Sequence, residues 1–186
     1  RRLLSYFVPE WEMHWLASCG QAPFPAQLLP AWEAALSDAL HGRPLAYILG
    51  QTDFLGHRIR IQPGIFIPRP ETEEWIAWLI QHLRDRPPES ILEVGSGSGA
   101  LLIALGKAFL QTTLFALDQN PLAIALTSEN AQSYGLEIFT ETHDFLQTPL
   151  PSDWQGYQWD LIISNPPYIP LSDKETVAPP VLTYEP

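Results

Sequence analysis

Four consecutive residues, Asn165-Pro166-Pro167-Tyr168, bring together side chains that can hold a weakly nucleophilic nitrogen. Two prolines fix the backbone and have no N–H to donate, so the carbonyls around them are left free to accept. An amide or aromatic amine reacts poorly because its nitrogen lone pair is delocalised. If the Asn165 side-chain oxygen and the Pro166 carbonyl each accept one N–H, that nitrogen is held with its remaining face toward the group being transferred, which is catalysis by positioning. Tyr168 offers an aromatic face against which the planar group can pack. The plain alternative is a Pro-Pro turn that merely closes a strand.

A second cluster lies upstream, where Gly95, Gly97 and Gly99 alternate with Ser96 and Ser98 directly after Leu92-Glu93-Val94. Alternating glycines let the backbone turn sharply and let a ligand lie against main-chain amides at a helix N-terminus. Any nucleotide-type ligand, or only a tight turn, would suit such a loop. Glu93 either approaches a cationic group of the ligand or receives hydrogen bonds from the loop. Asp118 ends the next strand, where a carboxylate can accept both hydroxyl hydrogens of a ribose. Asp144, after a third strand, has a simpler reading as the cap of the turn that follows it.

These residues need a scaffold, and beyond Pro88 the pattern supplies one. Residues 90–94, 113–117, 137–142 and 159–164 are predicted strands, and residues 100–110 and 121–134 helices, the second with Asn120 as cap and Gly135 as stop. Strands separated by helices imply an α/β fold with a parallel sheet and right-handed crossovers. A helix over 71–85 carries Trp75, Ile76, Leu79, Ile80 and Leu83 on one face, with Glu71, Glu73 and Glu74 at its positive end. Before it, Ile67 and Arg69 each precede a proline and are expected to be extended. Arg69 and Glu71 read most simply as a structural pair. Two extended segments, 45–54 and 57–61, surround Gly56. From residue 3 to about 42 the chain reads as short helices punctuated by Pro23, Pro25 and Pro30. There Leu3, Leu4, Phe7, Leu28, Trp32, Ala35, Leu36 and Leu40 form the core of a small helical domain. The resulting division is a helical domain over 1–44, a hairpin linker over 45–70 and an α/β domain over 71–186.

Composition removes several classes. The chain of 186 residues is 46% hydrophobic and 17% charged, a globular balance. No apolar run approaches the roughly 20 residues of a membrane span. Cys19 is the single cysteine, without a cysteine or histidine cluster at metal-ligand spacing, so no metal is expected and a reducing compartment fits. The net charge of −11 is uneven: residues 1–90 hold eight basic and ten acidic side chains, and residues 91–186 hold two and eleven. A half this acidic cannot neutralise phosphates, which disfavours direct nucleic-acid binding and favours a basic protein partner. No signal peptide is visible, although a first residue of Arg1 implies something upstream; a cytoplasmic monomer is expected.

The spacing Gly95-x-Gly97-x-Gly99 resembles the adenosylmethionine-binding loop of class I methyltransferases, and Asn165 to Tyr168 resembles the N-P-P-Y signature of amino-methyltransferases. Two further stretches, His41-Gly42-Arg43-Pro44-Leu45-Ala46-Tyr47-Ile48-Leu49-Gly50 and Phe66-Ile67-Pro68-Arg69-Pro70-Glu71-Thr72-Glu73, resemble the release factor glutamine methyltransferase family (HemK/PrmC type). The resemblance implies a Rossmann-like class I sheet and a helical N-terminal domain that, with a β-hairpin linker, recognises a peptide chain release factor. It implies methyl transfer from S-adenosyl-L-methionine to the glutamine amide of a Gly-Gly-Gln loop. Phe66 would flank that glutamine, while Asn165, Pro166, Pro167 and Tyr168 would hold its amide. Glu93, Gly95, Ser96, Gly97, Ser98, Gly99, Asp118 and Asn165 would hold the cofactor, with Asp144 at the adenine amine and Phe145 on the ring. The family continues beyond Ile169 through further strands, so a truncated C-terminus is expected. Competing readings are an amino-methyltransferase acting on another nitrogen, a ribosomal protein glutamine or the exocyclic amine of adenine, and a silent scaffold with the same fold.

Overall fold

The computed structural model describes residues 2–7, 24–167 and 179–186, apart from the side chains of residues 2, 4, 5 and 179. Cys19 and Tyr168 therefore lie outside the described residues. The chain divides into two compact units, Arg1–Gly50 and Gln51–Pro186.

The first unit holds α1 (Arg2–Phe7), a 3-10 turn (Ala26–Leu28), α2 (Leu29–Leu40) and α3 (Leu45–Leu49). Phe7 and Phe24 pack on Trp32, with ring centroids 5.9 and 5.4 Å away. Leu3 and Ala35 are buried, whereas Leu36 is 40% and Leu40 79% exposed, so the expected core stripe is narrower than its helical spacing suggested. Residues 45–49 correct the expectation of an extended segment. Pro44, at φ −56°, has a dihedral preset for a helix start, and Gly50 ends the helix in the left-handed region at φ 66°. Pro before and Gly after five residues is a helix signature that the β-rich neighbourhood concealed.

In the second unit a hairpin of β1 (Gln51–Phe54) and β2 (His57–Arg60) pairs Gln51 with Arg60 and Phe54 with His57. Its two-residue turn puts both Leu55 (φ 47°) and Gly56 (φ 77°) in the left-handed region. That turn type matches strand twist, but leucine is an unfavourable occupant of its first position. Helix α4 (Pro70–Leu83) opens with a proline at a position that needs no donor, after an extended Arg69 (φ −103°, ψ 150°). Ile76 and Leu79 are buried on it, while Trp75 is 41% exposed and departs from the expected buried face.

The remaining elements are β3 (Ser90–Val94), α5 (Ala100–Ala108), β4 (Thr113–Asp118), α6 (Pro121–Ser133), β5 (Ile138–Thr142), a 3-10 turn (Ser152–Trp154), β6 (Leu161–Ser164) and α7 (Pro179–Tyr184). Strands β3 to β6 form one parallel sheet in the order β5-β4-β3-β6. This is a Rossmann-like α/β arrangement. Ile91, Leu92, Leu114 and Leu117 of the sheet and Leu102, Ile103 and Leu105 of α5 are fully buried, the pattern of a parallel sheet covered by helices. Asp160 ties the starts of two strands together by accepting the Glu89 and Ser90 N–H groups at 3.0 and 2.9 Å. Among the described residues no helix is long and apolar enough to cross a membrane.

Candidate functional site

Strands β4 and β5 lie on one side of β3 and β6 on the other, so the winding of the sheet reverses between β3 and β6. In open parallel sheets the crevice outside the carboxyl ends of the strands at such a reversal is where ligands bind. The register pairs Val94 with Ser164, and the Ser164 hydroxyl donates to the Val94 carbonyl at 2.7 Å. The next residues are Gly95 on one strand and Asn165 on the other. Two motifs 70 positions apart thus leave the sheet side by side.

The glycine loop is held from several directions. Gly95 and Ser96 donate their backbone N–H to the Leu117 carbonyl at 2.7 and 3.1 Å, and Gly97 donates to Asp118 Oδ2 at 2.9 Å. Asp118 Oδ1 accepts the Asn120 N–H at 2.9 Å. Each oxygen of that carboxylate retains a lone pair for a further donor. Gly95, Gly97 and Gly99 have φ of 80°, 56° and 76°, which side chains rarely adopt. A Cβ at Gly95 or Gly97 would meet nothing within 4 Å, so the loop turns a bare backbone face to open space; a Cβ at Gly99 would lie 2.9 Å from Thr127 Cγ2.

Thr127 and Asn130 on α6, both fully buried, were not legible as site residues in the sequence. The Thr127 hydroxyl donates to Ser96 Oγ at 3.1 Å. Asn130 Nδ2 donates to the Ser98 and Arg60 carbonyls at 2.9 and 3.0 Å, and its Oδ1 accepts the Arg60 N–H at 2.9 Å. One side chain therefore joins the loop to the hairpin. The available signal was two polar residues on the helix face that also carries Ala123, Leu126 and Ala131.

Glu93 is sealed beneath the loop at 1% exposure. Burial pushes its carboxyl well above the usual carboxylate range; the Leu102 backbone N–H, in the first turn of α5, pulls it down, and the charge of Asp118 pushes it up again. Its Oε2 has no hydrogen-bond partner among the described residues. That atom is not exposed, so a ligand in the crevice would not touch it. Asp144 follows β5, beside Asp118, whose carbonyl accepts the His143 N–H at 2.8 Å. Its Oδ1 accepts the Leu146 N–H at 3.0 Å and caps the turn, and Phe145 is 45% exposed.

On the other side of the reversal, Asn165 Nδ2 donates to the Thr72 hydroxyl in the first turn of α4 at 3.4 Å, and Pro166 and Pro167 are exposed. Phe66 is 39% exposed, with the Arg69 guanidinium carbon 4.9 Å from its ring centroid. Arg69 pairs with Glu185 rather than with Glu71: its Nη2 donates to Glu185 Oε1 at 2.6 Å, and the Ile67 N–H donates to Glu185 Oε2 at 3.5 Å. The Glu185 side chain is 2% exposed. Sequence spacing suggested the neighbour, but Glu71 points from the first turn of the helix that Arg69 caps, whereas Glu185 arrives at the end of α7. Among the described residues no group of three or more His, Cys, Asp or Glu could hold a metal ion.

Known proteins match this arrangement at three levels. A family model described as methyltransferase small domain matches residues 57–179. The chain is similar to a release factor glutamine methyltransferase of Homo sapiens, 38% identical over 175 residues, covering 88% of this chain and 51% of the relative. It is similar to the release factor glutamine methyltransferase of Flavobacterium psychrophilum, 34% identical over 158 residues, covering 83% of this chain and 54% of the relative. The chain spans about half the length of these curated relatives. Among solved structures a T. Thermophilus 16S rRNA methyltransferase in complex with AdoMet and guanosine shares the fold, with a TM-score of 0.52 at 19% identity over 64% of this chain and 32% of that one.

Proposed function

The chain belongs to the methyltransferase small domain family, and on that premise we propose that it transfers a methyl group from S-adenosyl-L-methionine to the side-chain amide nitrogen of glutamine in the Gly-Gly-Gln loop of a peptide chain release factor. The observation that carries this reading is the pairing of Val94 with Ser164, which sets a bare glycine loop beside an Asn-Pro-Pro turn at one crevice.

The cofactor, when bound, supplies an electrophilic methyl group on a sulfonium sulfur. Gly95 and Gly97 offer their open backbone face to it, the spare lone pairs of Asp118 suit its ribose hydroxyls, and Asp144 and Phe145 lie at the next strand end, where an adenine would sit. Glu93, sealed beneath the loop with its carboxyl shifted toward the protonated form, accepts the Leu102 N–H and supports the loop from below. Asn165 Oδ1 and the Pro166 carbonyl hold the two amide hydrogens, and Pro167, Tyr168 and Phe66 flank the planar group. The nitrogen forms its bond to carbon as the carbon–sulfur bond breaks; the proton it then carries in excess leaves to water, so no dedicated base is required. The division into a recognition domain over 1–44, a linker over 45–70 and a methyltransferase domain over 71–186 belongs to this reading. So does action as a cytoplasmic monomer on a basic protein surface complementary to the acidic half of the chain.

Full-length protein incubated with labelled S-adenosyl-L-methionine, a release factor, its Gly-Gly-Ala variant and bulk nucleic acid tests the reading. Label confined to the unaltered release factor is the expected result. Label on nucleic acid, or on the Gly-Gly-Ala variant, would overturn the proposed acceptor.

A further inference from the structure

We propose that Thr72 is a positioning residue: its hydroxyl accepts the Asn165 carboxamide N–H and so turns Asn165 Oδ1, rather than Nδ2, toward the acceptor nitrogen. The inference rests on the transfer reaction proposed above and adds a residue to it.

The argument begins with the symmetry of a carboxamide. Its two ends are nearly the same size but opposite in polarity, one accepting and one donating only. An acceptor –NH2 group presents donors. If Nδ2 faced it, donor would meet donor and the amide would be turned away; if Oδ1 faces it, the nitrogen is held. Steric fit cannot make this choice, because either orientation fills the same space. A neighbour held in the accepting role makes it, as the Thr72 hydroxyl oxygen does by receiving the Nδ2 hydrogen.

The neighbours nearest in sequence do not supply that acceptor. The Ser164 hydroxyl points to the Val94 carbonyl, to which it donates, and Pro166 and Pro167 are exposed; the Asn165 Nδ2 bond runs to none of them. The acceptor comes instead from 93 positions earlier, the Thr72 hydroxyl at 3.4 Å. Thr72 is well placed to be a fixed reference. Its backbone N–H donates to the Arg69 carbonyl at 3.0 Å at the start of α4, and Arg69 is held by the buried Glu185. A threonine in a helix is restricted to two χ1 rotamers, and the one adopted here aims the hydroxyl at Asn165. The 3.4 Å separation is long for a hydrogen bond, as hydrogen bonds at sites without substrate often are before they tighten in the reacting complex.

The test uses full-length protein and compares Thr72→Val, which removes the hydroxyl at constant shape, with Thr72→Ser, which retains it. For methyl transfer to the release factor, Thr72→Val is expected to lower kcat by about 10- to 100-fold with little change in cofactor Kd or melting temperature, and Thr72→Ser to stay within about threefold of the wild type. A wild-type kcat in Thr72→Val overturns the proposal, and so does an equal loss in both variants, which would assign the effect to packing. A second readout does not need activity: with carboxamide-labelled asparagine, the Asn165 side-chain N–H resonances are expected to shift and exchange faster in Thr72→Val than in the wild type or Thr72→Ser. If the wild-type protein labels no release factor, the parent reading fails on its own; Asn165 resonances unmoved by Thr72→Val overturn the Thr72 anchor in either case.

Discussion

Among the described residues, the two sides of the sheet reversal are held by different numbers of contacts. On the β3 side every residue from Gly95 to Gly99 is tied by its backbone or side chain to β4, α5 or α6, through Leu117, Asp118, Ile103, Thr127 and Asn130. On the β6 side the described contacts of Asn165 are one 3.4 Å hydrogen bond to Thr72 and the strand that carries it. The difference follows from what each side has to do. A small cofactor is invariant, so its loop can be preorganised in full at no loss of range. Under the proposed function, a glutamine delivered on another protein's loop would arrive with its own backbone and would need only two acceptors and an aromatic wall. Rigidity is therefore invested where the ligand is constant.

The largest expected effect breaks the lightly held side alone. Asn165→Ala removes one of two acceptors for the reacting amide and should lower kcat by about 100- to 1000-fold, the usual cost of losing a preorganised group aimed at the reacting centre. Cofactor affinity measured by calorimetry should fall far less than kcat, because the glycine loop is held without Asn165 and Asn165 is only one of the expected cofactor contacts. A cofactor Kd that rose in proportion to the kcat loss would contradict the separation of the two sides.

The mirror-image change strikes the heavily tied side. Asn130→Ala strands the Arg60 N–H and removes donors from the Ser98 and Arg60 carbonyls, at a fully buried position. At about 1 kcal/mol for each of three hydrogen bonds, the cost is about 3 kcal/mol of stability in denaturant unfolding. Cofactor affinity should fall with it, since the Ser98 end of the loop is released. Stability and affinity lost together, without a selective kcat effect, is the signature expected of a preorganised loop.

The same contrast explains what was legible in the sequence. The glycine loop, Asp118 and the strands β3 and β4 were readable because each is encoded locally: apolar runs buried on both faces, glycines where φ must be positive, Asn120 one residue before the helix it caps. The contacts that fix these pieces were not. Glu185 meets Arg69 across 116 positions, and Asn130 meets Arg60 across 70, and no local pattern names such partners. Residues 45–49 were misread for a related reason. Five residues carry too few turns for a 3.6-residue period to outweigh a neighbouring hairpin, and only the Pro44 and Gly50 brackets held the answer. Trp75 and Leu40 show the limit of periodicity, which identifies a helix more securely than it identifies the width of its buried face.

A smaller effect probes the charge beneath the loop. Because folding raises the Glu93 carboxyl above its ordinary value of 4.5, the folded state prefers the protonated form. Stability contributed by this group is then greatest at low pH and is lost as pH rises from about 4.5 through the folded-state value. Glu93→Gln removes that dependence, so the variant should match the wild type near pH 4 and melt at higher temperature at pH 7. A buried carboxylate that instead lost stability on neutralisation at pH 7 would have to be paired, and the loop would be organised around an ion pair that the described residues do not contain.

The smallest expected effect lies at the far end of the tied side, in the hairpin that Asn130 holds. Leu55 adopts φ 47° in a turn whose first position favours asparagine or glycine, while its backbone N–H donates to Glu73 Oε2 at 3.3 Å. Left-handed backbone costs an ordinary side chain about 1 kcal/mol, which asparagine largely avoids by local hydrogen bonding. Leu55→Asn should therefore stabilise the protein by about 1 kcal/mol or less, after allowance for the partly buried leucine surface it gives up. Since the turn touches neither Asn165 nor the glycine loop, kcat and cofactor Kd should both stay at wild-type values. A change in kcat alone would mean that strain at the hairpin tip reaches the acceptor side through Glu73 and α4, and the helix that carries Thr72 would then have to be counted as part of a coupled unit rather than as a fixed reference.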